Sequence, residues 1–297
     1  MRLDPAQKDP IKAADWLEAS SVYSEEGRSS LESLRSYIQT DGTLPDEDRE
    51  VPDDEVAENL TNDAVREIAR RAHVLGPAYP FKLSGGEIRA PEDVVGCLPY
   101  LFCLITADRD LYQNGDSVTP RLFEHLSRAA LLHYLGGTAI RFGFPRDTMP
   151  TGIRDATQEL AKQTGSRLLQ QGYPVNATDK DLGLDVVGWK PFPDGFPGHL
   201  QVYMQCATGD DWTEKTQDPP IATWRKILYY HLLPVRALAI PYILGDEREW
   251  DRIVTDFLLM DRIRISWSLG GTILDEPPHD WLKHYQEAIQ RARALGL

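Results

Sequence analysis

The chain has 297 residues, 41% of them hydrophobic, which is enough for a sizeable core without disulfide staples. Its net charge of −14 argues against autonomous, high-affinity nucleic-acid binding, because such binding needs Lys and Arg to neutralise phosphates. Cys97, Cys103 and Cys206 show neither a disulfide framework nor zinc-ligand spacing and point to the reducing cytoplasm, while the longest apolar run, 94–107, is shorter than the roughly 20 residues that span a bilayer.

The acidity is concentrated near the start: residues 1–75 hold 18 Asp and Glu against 9 Lys and Arg, and residues 76–297 hold 28 against 23. Leu31, Leu34 and Ile38 mark a short amphipathic stretch, followed by the charged, proline-punctuated segment 46–55, which reads as a linker or mobile loop. A helix is expected to restart after Thr61, with Val65, Ile68, Ala69 and Ala72 at helical spacing. The sequence thus divides into an acidic, mainly helical region with a linker over 1–75 and a more apolar main domain over 76–297.

Within the main domain, 94–107 reads as a buried helix. Thr119-Pro120 offers an N-cap and a first-turn proline, and Gly136-Gly137 a stop, so a helix is predicted between them. Leu122, Leu126, Ala129 and Ala130 line one face, and Phe123, Leu131, Tyr134 and Leu135 the opposite one; a helix apolar all round is buried. A second helix, about 152–169, carries a single stripe of Ile153, Ala156, Leu160, Ala161 and Leu168. Two strand-like segments, 184–192 and 199–206, flank a Pro- and Gly-rich turn and should pair as an antiparallel hairpin. A helix over 221–233, stopped by Pro234, and a buried strand over 235–244 follow, with the remainder mainly helical. The order helix, strand, strand, helix, strand defines an α/β (α+β) fold with a mixed sheet flanked by helices.

Alternation on the second strand puts Leu200, Val202, Met204 and Cys206 on one face and Gln201, Tyr203 and Gln205 on the other. With the turn centred near Gly195, Asp185 falls opposite or diagonal to Gln205, where Cβ atoms lie about 5 Å apart in direct pairs and roughly 7–8 Å on the diagonal. Asp185 shares its side with Val187 and Trp189, so its carboxylate needs a cation or hydrogen-bond donors to stay ionised. Glu124 is the only carboxylate of its helix and shares a face with Leu131 and Leu135; either a salt bridge to Arg128 at i+4 or a place in a functional site accounts for it. Glu159 lies off its helix's apolar stripe and is expected to be solvated.

Phe123-Glu124 on the first helix, Gly183-Leu184-Asp185-Val186-Val187 on the first strand and Gln205-Cys206-Ala207 on the second carry a resemblance to a known family. In this order, across roughly residues 119–244, the chain resembles the PD-(D/E)xK, or restriction-endonuclease-like, nucleases, which carry an acid on the first helix, an Asp on a central strand and Glu-x-Lys or Gln-x-Lys on the adjacent strand. The resemblance implies a restriction-endonuclease-like core and a metal-dependent endonuclease acting on DNA in a phage-defence or DNA-maintenance system. It also implies that Asp185, Glu124 and Gln205 bind Mg²⁺ or Mn²⁺. Mg²⁺ suits such a set, since it keeps several waters and binds through one or two carboxylates, to which Gln205 adds a neutral amide oxygen. Ala207 stands where the family has its lysine. Asp211 and Glu214 have capping-box spacing for a helix that would carry Lys215 near its start, which makes Lys215 the candidate for the lysine's role beside the activated water.

DNA is the expected substrate, with a protein partner or a second copy of the chain compensating for the acidic charge, and no membrane association. The alternative is a catalytically degenerate scaffold that keeps the nuclease fold to bind a partner protein or nucleic acid. A thiol hydrolase built on Cys206 is disfavoured by the apolar strand face on which that residue falls.

Overall fold

A computed structural model describes residues 9–41, 53–111, 116–169, 180–245, 247–270 and 278–297. Most of the expected linker, 46–52, lies outside the described residues. The chain forms two units, one of residues 1–116 with 270–297 and one of residues 117–269.

In the first unit, α1 (Pro10–Tyr23) begins where the Asp9 carboxylate accepts a hydrogen bond from the Ile11 N–H at 2.9 Å and Pro10 fills the first turn. There follow β1 (Arg28–Ser30), α2 (Leu31–Asp41), α3 (Asp53–Leu75), β2 (Lys82–Ser84), β3 (Glu87–Arg89) and α4 (Leu98–Ala107). Helix α3 starts well ahead of Thr61, and the strands form an antiparallel sheet in the order β1-β3-β2. A fully buried Arg71 ties α1 to α3: it pairs with Asp15 at 2.7 Å, Glu18 at 3.0 Å and Glu67 at 2.8 Å. The Tyr79 and Tyr100 hydroxyls donate to Glu18, which draws α4 into the same knot.

The second unit holds α5 (Val118–Leu135), β4 (Thr138–Arg141), α6 (Ile153–Thr164), β5 (Arg167–Leu168), β6 (Val186–Trp189), β7 (Gln201–Cys206), α7 (Ile221–Trp224), β8 (Leu228–Tyr229), β9 (Val235–Ala239), α8 (Glu247–Ile253), β10 (Leu258–Met260) and α9 (Arg262–Leu269). Its main sheet is mixed, in the order β10-β9-β7-β6-β4. Strands β4, β6 and β7 are antiparallel neighbours, and β7, β9 and β10 run parallel. Both faces are covered. Helix α5 lies on the face of Gly188, while Ile153, Ala156 and Leu160 of α6 join Val187, Trp189, Tyr203 and Trp224 in one buried cluster on the other. The last helix, α10 (Pro278–Leu295), packs on α4 and α1, so the first unit gathers elements from both sides of residue 76, where the sequence suggests a boundary. None of the described helices is long and apolar enough to cross a membrane.

The fold is therefore mixed α/β, and several local expectations need correction. Helix α5 starts at Val118 with Pro120 in its first turn; Ser117 occupies the cap position without a side-chain hydrogen bond, and Gly136 ends the helix in a left-handed conformation at φ +57°. The second predicted helix stops at Gly165, φ +67°. The helix expected over 221–233 ends at Trp224, because Leu228 and Tyr229, apolar and aromatic residues suited to a pleated surface, pair with β5 instead. The strand expected to reach residue 244 ends at Ala239, ahead of Pro241. Strands β4 and β10 were not anticipated.

A Cβ at Gly188 would come within 2.7 Å of the Leu131 side chain and 2.8 Å of the Leu135 side chain. Gly188→Ala should therefore force α5 away from β6 and destabilise the protein by about 1–3 kcal/mol, measured by urea unfolding. Arg71→Met leaves three acids without their shared cation and should cost about 3–5 kcal/mol in the same measurement.

Candidate active site

The β6–β7 register pairs Val186 with Met204 and continues past the end of β6, where the Asp185 N–H donates to the Met204 carbonyl at 3.0 Å. Asp185 therefore faces Gln205, as the hairpin expectation requires. Its Oδ2 accepts two hydrogen bonds, from Gln205 Nε2 at 2.6 Å and from the Cys206 backbone N–H at 2.8 Å. Its carbonyl accepts from the N–H groups of Phe142 at 2.7 Å and Gly143 at 3.0 Å, which anchors the residue to the chain leaving β4 as well. Asp185 is 6% exposed.

Gly143 explains how a second acid reaches this point. A Cβ there would collide with Glu124 Oε2 and come within 3.1 Å of Asp185 Oδ1, so the two carboxylates converge on space that only a glycine leaves open. Glu124 pairs with Arg141 of β4, whose Nε lies 2.6 Å from Oε2, and not with Arg128 at i+4. Arg141, itself buried, also donates from Nη1 to the Pro145 carbonyl at 2.6 Å and to Asp147 at 3.0 Å. Burial pushes the Glu124 carboxyl up to about 7 against the pull of Arg141, with Asp181 and Asp147 adding to the rise. Asp185 is driven well above the ordinary carboxylate range, first by burial and then by the charge of Glu124.

Lys215 is not brought to this pair. It ends a short 3₁₀ turn, Trp212–Lys215, in which the Asp211 side chain makes no capping bond, and its charge acts on Asp218. Ala207, at the position of the family lysine, is buried in an apolar cluster with Leu238 and Ile240. Arg141 is the cation that acts on both Glu124 and Asp185. The Cys206 thiol is raised well above its ordinary value by burial and then by Asp185 and Glu124, which removes the thiolate a hydrolase would need. Glu159 accepts from Gln163 at 2.9 Å on the surface of α6.

Sequence reasoning missed three residues here. Arg141 is brought in by strand β4. Asp181, whose Oδ1 accepts the Gly183 N–H at 3.1 Å, raises both Glu124 and Asp185 by its charge; the spacing Asp181-Leu182-Gly183-Leu184-Asp185, two acids about a glycine, was its available signal. Leu182, at φ +55°, and Gly183, at φ +69°, take the left-handed conformation in succession, at a cost of about 1–2 kcal/mol for the leucine. Asp218 enters from a distant loop: a Cβ on Gly183 would lie 3.3 Å from its Oδ1 and 3.5 Å from Gln205 Oε1. No local sequence signal marks it.

Among the described residues no group of three or more His, Cys, Asp or Glu side chains is disposed to hold a metal ion. The donors present nevertheless fit a hydrated divalent cation, which needs only one or two carboxylates. Two observations support the fit: Asp185 Oδ1 and Glu124 Oε2 meet at Gly143, and Gln205 Oε1 is buried without a hydrogen-bond donor. No protein-family model, curated protein or solved structure matches the chain.

Because the Glu124 carboxyl titrates above its ordinary 4.5, the stability linked to it is complete below that value and is lost as pH rises through about 7. The Tm of Glu124→Gln relative to the native chain, in cation-free buffer, should climb across that window. A difference between the two that does not change with pH would contradict the assignment.

Proposed function

We propose that the chain is a metal-dependent nuclease of restriction-endonuclease-like fold that hydrolyses DNA phosphodiester bonds at Asp185, Glu124 and Gln205. The observation that carries this reading is the meeting at Gly143 of two carboxylates, the buried Asp185, clamped by a strand-neighbour amide, and the part-buried Glu124. The order of helix acid, strand aspartate and adjacent-strand glutamine supports it further.

Asp185 and Glu124, with Gln205 Oε1 as a neutral donor, would hold Mg²⁺ or Mn²⁺, which when bound would supply charge neutralisation at a phosphate and a water of lowered pKa. The protein's part is positional. Gln205 and the Cys206 N–H occupy Asp185 Oδ2 and direct Oδ1 towards Glu124. Arg141 holds Glu124 in place and offsets negative charge before a cation is bound. Lys215 supplies positive charge from the Asp218 side, where substrate phosphate and ammonium attract each other. A protein partner or a second copy of the chain adds the DNA affinity that a net charge of −14 denies the monomer. The three free thiols suit a cytoplasmic setting.

The absence of lysine at Ala207 favours one second reading, a catalytically degenerate scaffold that binds a partner protein or nucleic acid. Cleavage of supercoiled plasmid with and without Mg²⁺ separates the two. The native chain should nick or linearise DNA only with the metal, and Asp185→Asn should lower the rate at least a hundredfold while its circular dichroism and Tm stay close to native. Lys215→Ala should slow cleavage without abolishing cation binding. A native chain that is inert under every divalent cation, or that cleaves as well with Asn at position 185, would overturn the nuclease reading.

A further inference from the structure

The metal-binding reading leaves one acid of this region without a role. Asp218 follows the 3₁₀ turn that ends at Lys215, its N–H donating to the Lys215 carbonyl at 2.9 Å. Its carboxylate makes no hydrogen bond or ion pair among the described residues, although cations are close by. Arg236 is engaged with Asp256 and Gln217, and Lys215 influences Asp218 by charge without forming a close pair. Asp181 is different, since its Oδ1 is committed to the turn through the Gly183 N–H.

What singles out Asp218 is the point at which it aims. Its Oδ1 and Gln205 Oε1 flank the same position, the open Cα face of Gly183, at 3.3 and 3.5 Å from where a Cβ would stand. Gln205 Oε1 is shielded from solvent and has no donor, while the amide nitrogen of the same side chain is spent on Asp185 Oδ2. A buried amide oxygen without a donor is costly unless something electropositive comes to it. Gln205 therefore joins two pairs of oxygens: Asp185 with Glu124 on the Gly143 side, and its own Oε1 with Asp218 on the Gly183 side. Both glycines keep side chains out of the space between oxygens, and Gly183 does so in a left-handed conformation that other residues resist.

We infer that Asp218 is a further cation-holding residue of the proposed site, acting with Gln205 Oε1 from the Gly183 side through the waters of the cation. The inference rests on the nuclease reading for the identity of the bound group, a divalent cation with its waters, and extends that reading to a residue outside the family pattern. Hydrated Mg²⁺ offers water hydrogens to outlying acceptors, so a carboxylate and an amide oxygen can contribute to affinity without direct ligation.

The test is Mn²⁺ binding by isothermal titration calorimetry on the full chain, with Mn²⁺-induced change in Tm as a second readout and no DNA present. The native chain should bind Mn²⁺, and Asp185→Asn should abolish binding. Asp218→Asn should weaken binding at least tenfold and shrink the Tm increase. Asp218→Glu, which keeps the charge on a longer stem, should recover most of the affinity, a rescue that a structural role for the aspartate would not give. If Asp218→Asn has a perturbed circular dichroism spectrum, Asp218→Ser serves in its place with the same expected loss. Native-like Mn²⁺ affinity in a folded Asp218→Asn or Asp218→Ser, with binding still abolished by Asp185→Asn, overturns this inference and leaves the nuclease reading standing. Absence of any Asp185-dependent Mn²⁺ binding in the native chain overturns both.

Discussion

Two hydrogen bonds onto one oxygen, from Gln205 Nε2 and the Cys206 N–H to Asp185 Oδ2, fix a carboxylate that the sheet has removed from water. A buried acid with only burial and a second acid around it would protonate and lose its chemical use. The donors from β7 hold its geometry and Arg141 supplies opposing charge, yet both carboxyls still sit above their ordinary range. The pair therefore holds protons more tightly than ordinary carboxyls do, and the cation proposed for the site would have to displace them on binding.

Glycines make that arrangement possible. Gly188 lets Leu131 and Leu135 of α5 close onto β6, which sets the depth at which the same helix presents Glu124. Gly143 then removes the one side chain that would separate Glu124 from Asp185, and Gly183 does the same between Gln205 and Asp218. The left-handed pair Leu182 and Gly183 lies just ahead of Asp185, so the backbone cost of Leu182 falls where the chain enters β6 beside the site. In the other unit, one buried arginine shared among Asp15, Glu18 and Glu67 shows a different use of buried charge, with every acid held by a protein partner.

The hairpin and its facing pair were legible in the sequence because strand alternation and a Pro-Gly turn fix register by local rules: Asp185 does oppose Gln205, and α5 does end at Gly136. Glu124 stood out as a lone acid among apolar neighbours. Its true partner did not, since Arg141 reaches it from β4, a four-residue strand too short to give a periodic signal. The capping-box spacing at Asp211 and Glu214 suggested a helix, but the chain makes a single 3₁₀ turn, and Lys215 lands beside Asp218 instead of Asp185. Asp218 was invisible for the same reason as Arg141: its meaning comes from a tertiary approach to Gly183. The proposed nuclease function rests on residue pattern and local geometry.

As proposed, Asp185 and Glu124 jointly hold a divalent cation. Anomalous scattering at the manganese edge from crystals grown with Mn²⁺ tests it most directly. A peak is expected bonded to Asp185 Oδ1 and the Glu124 carboxylate, beside Gly143. Fully ordered carboxylates with no manganese between them, Glu124 still paired to Arg141, would contradict it.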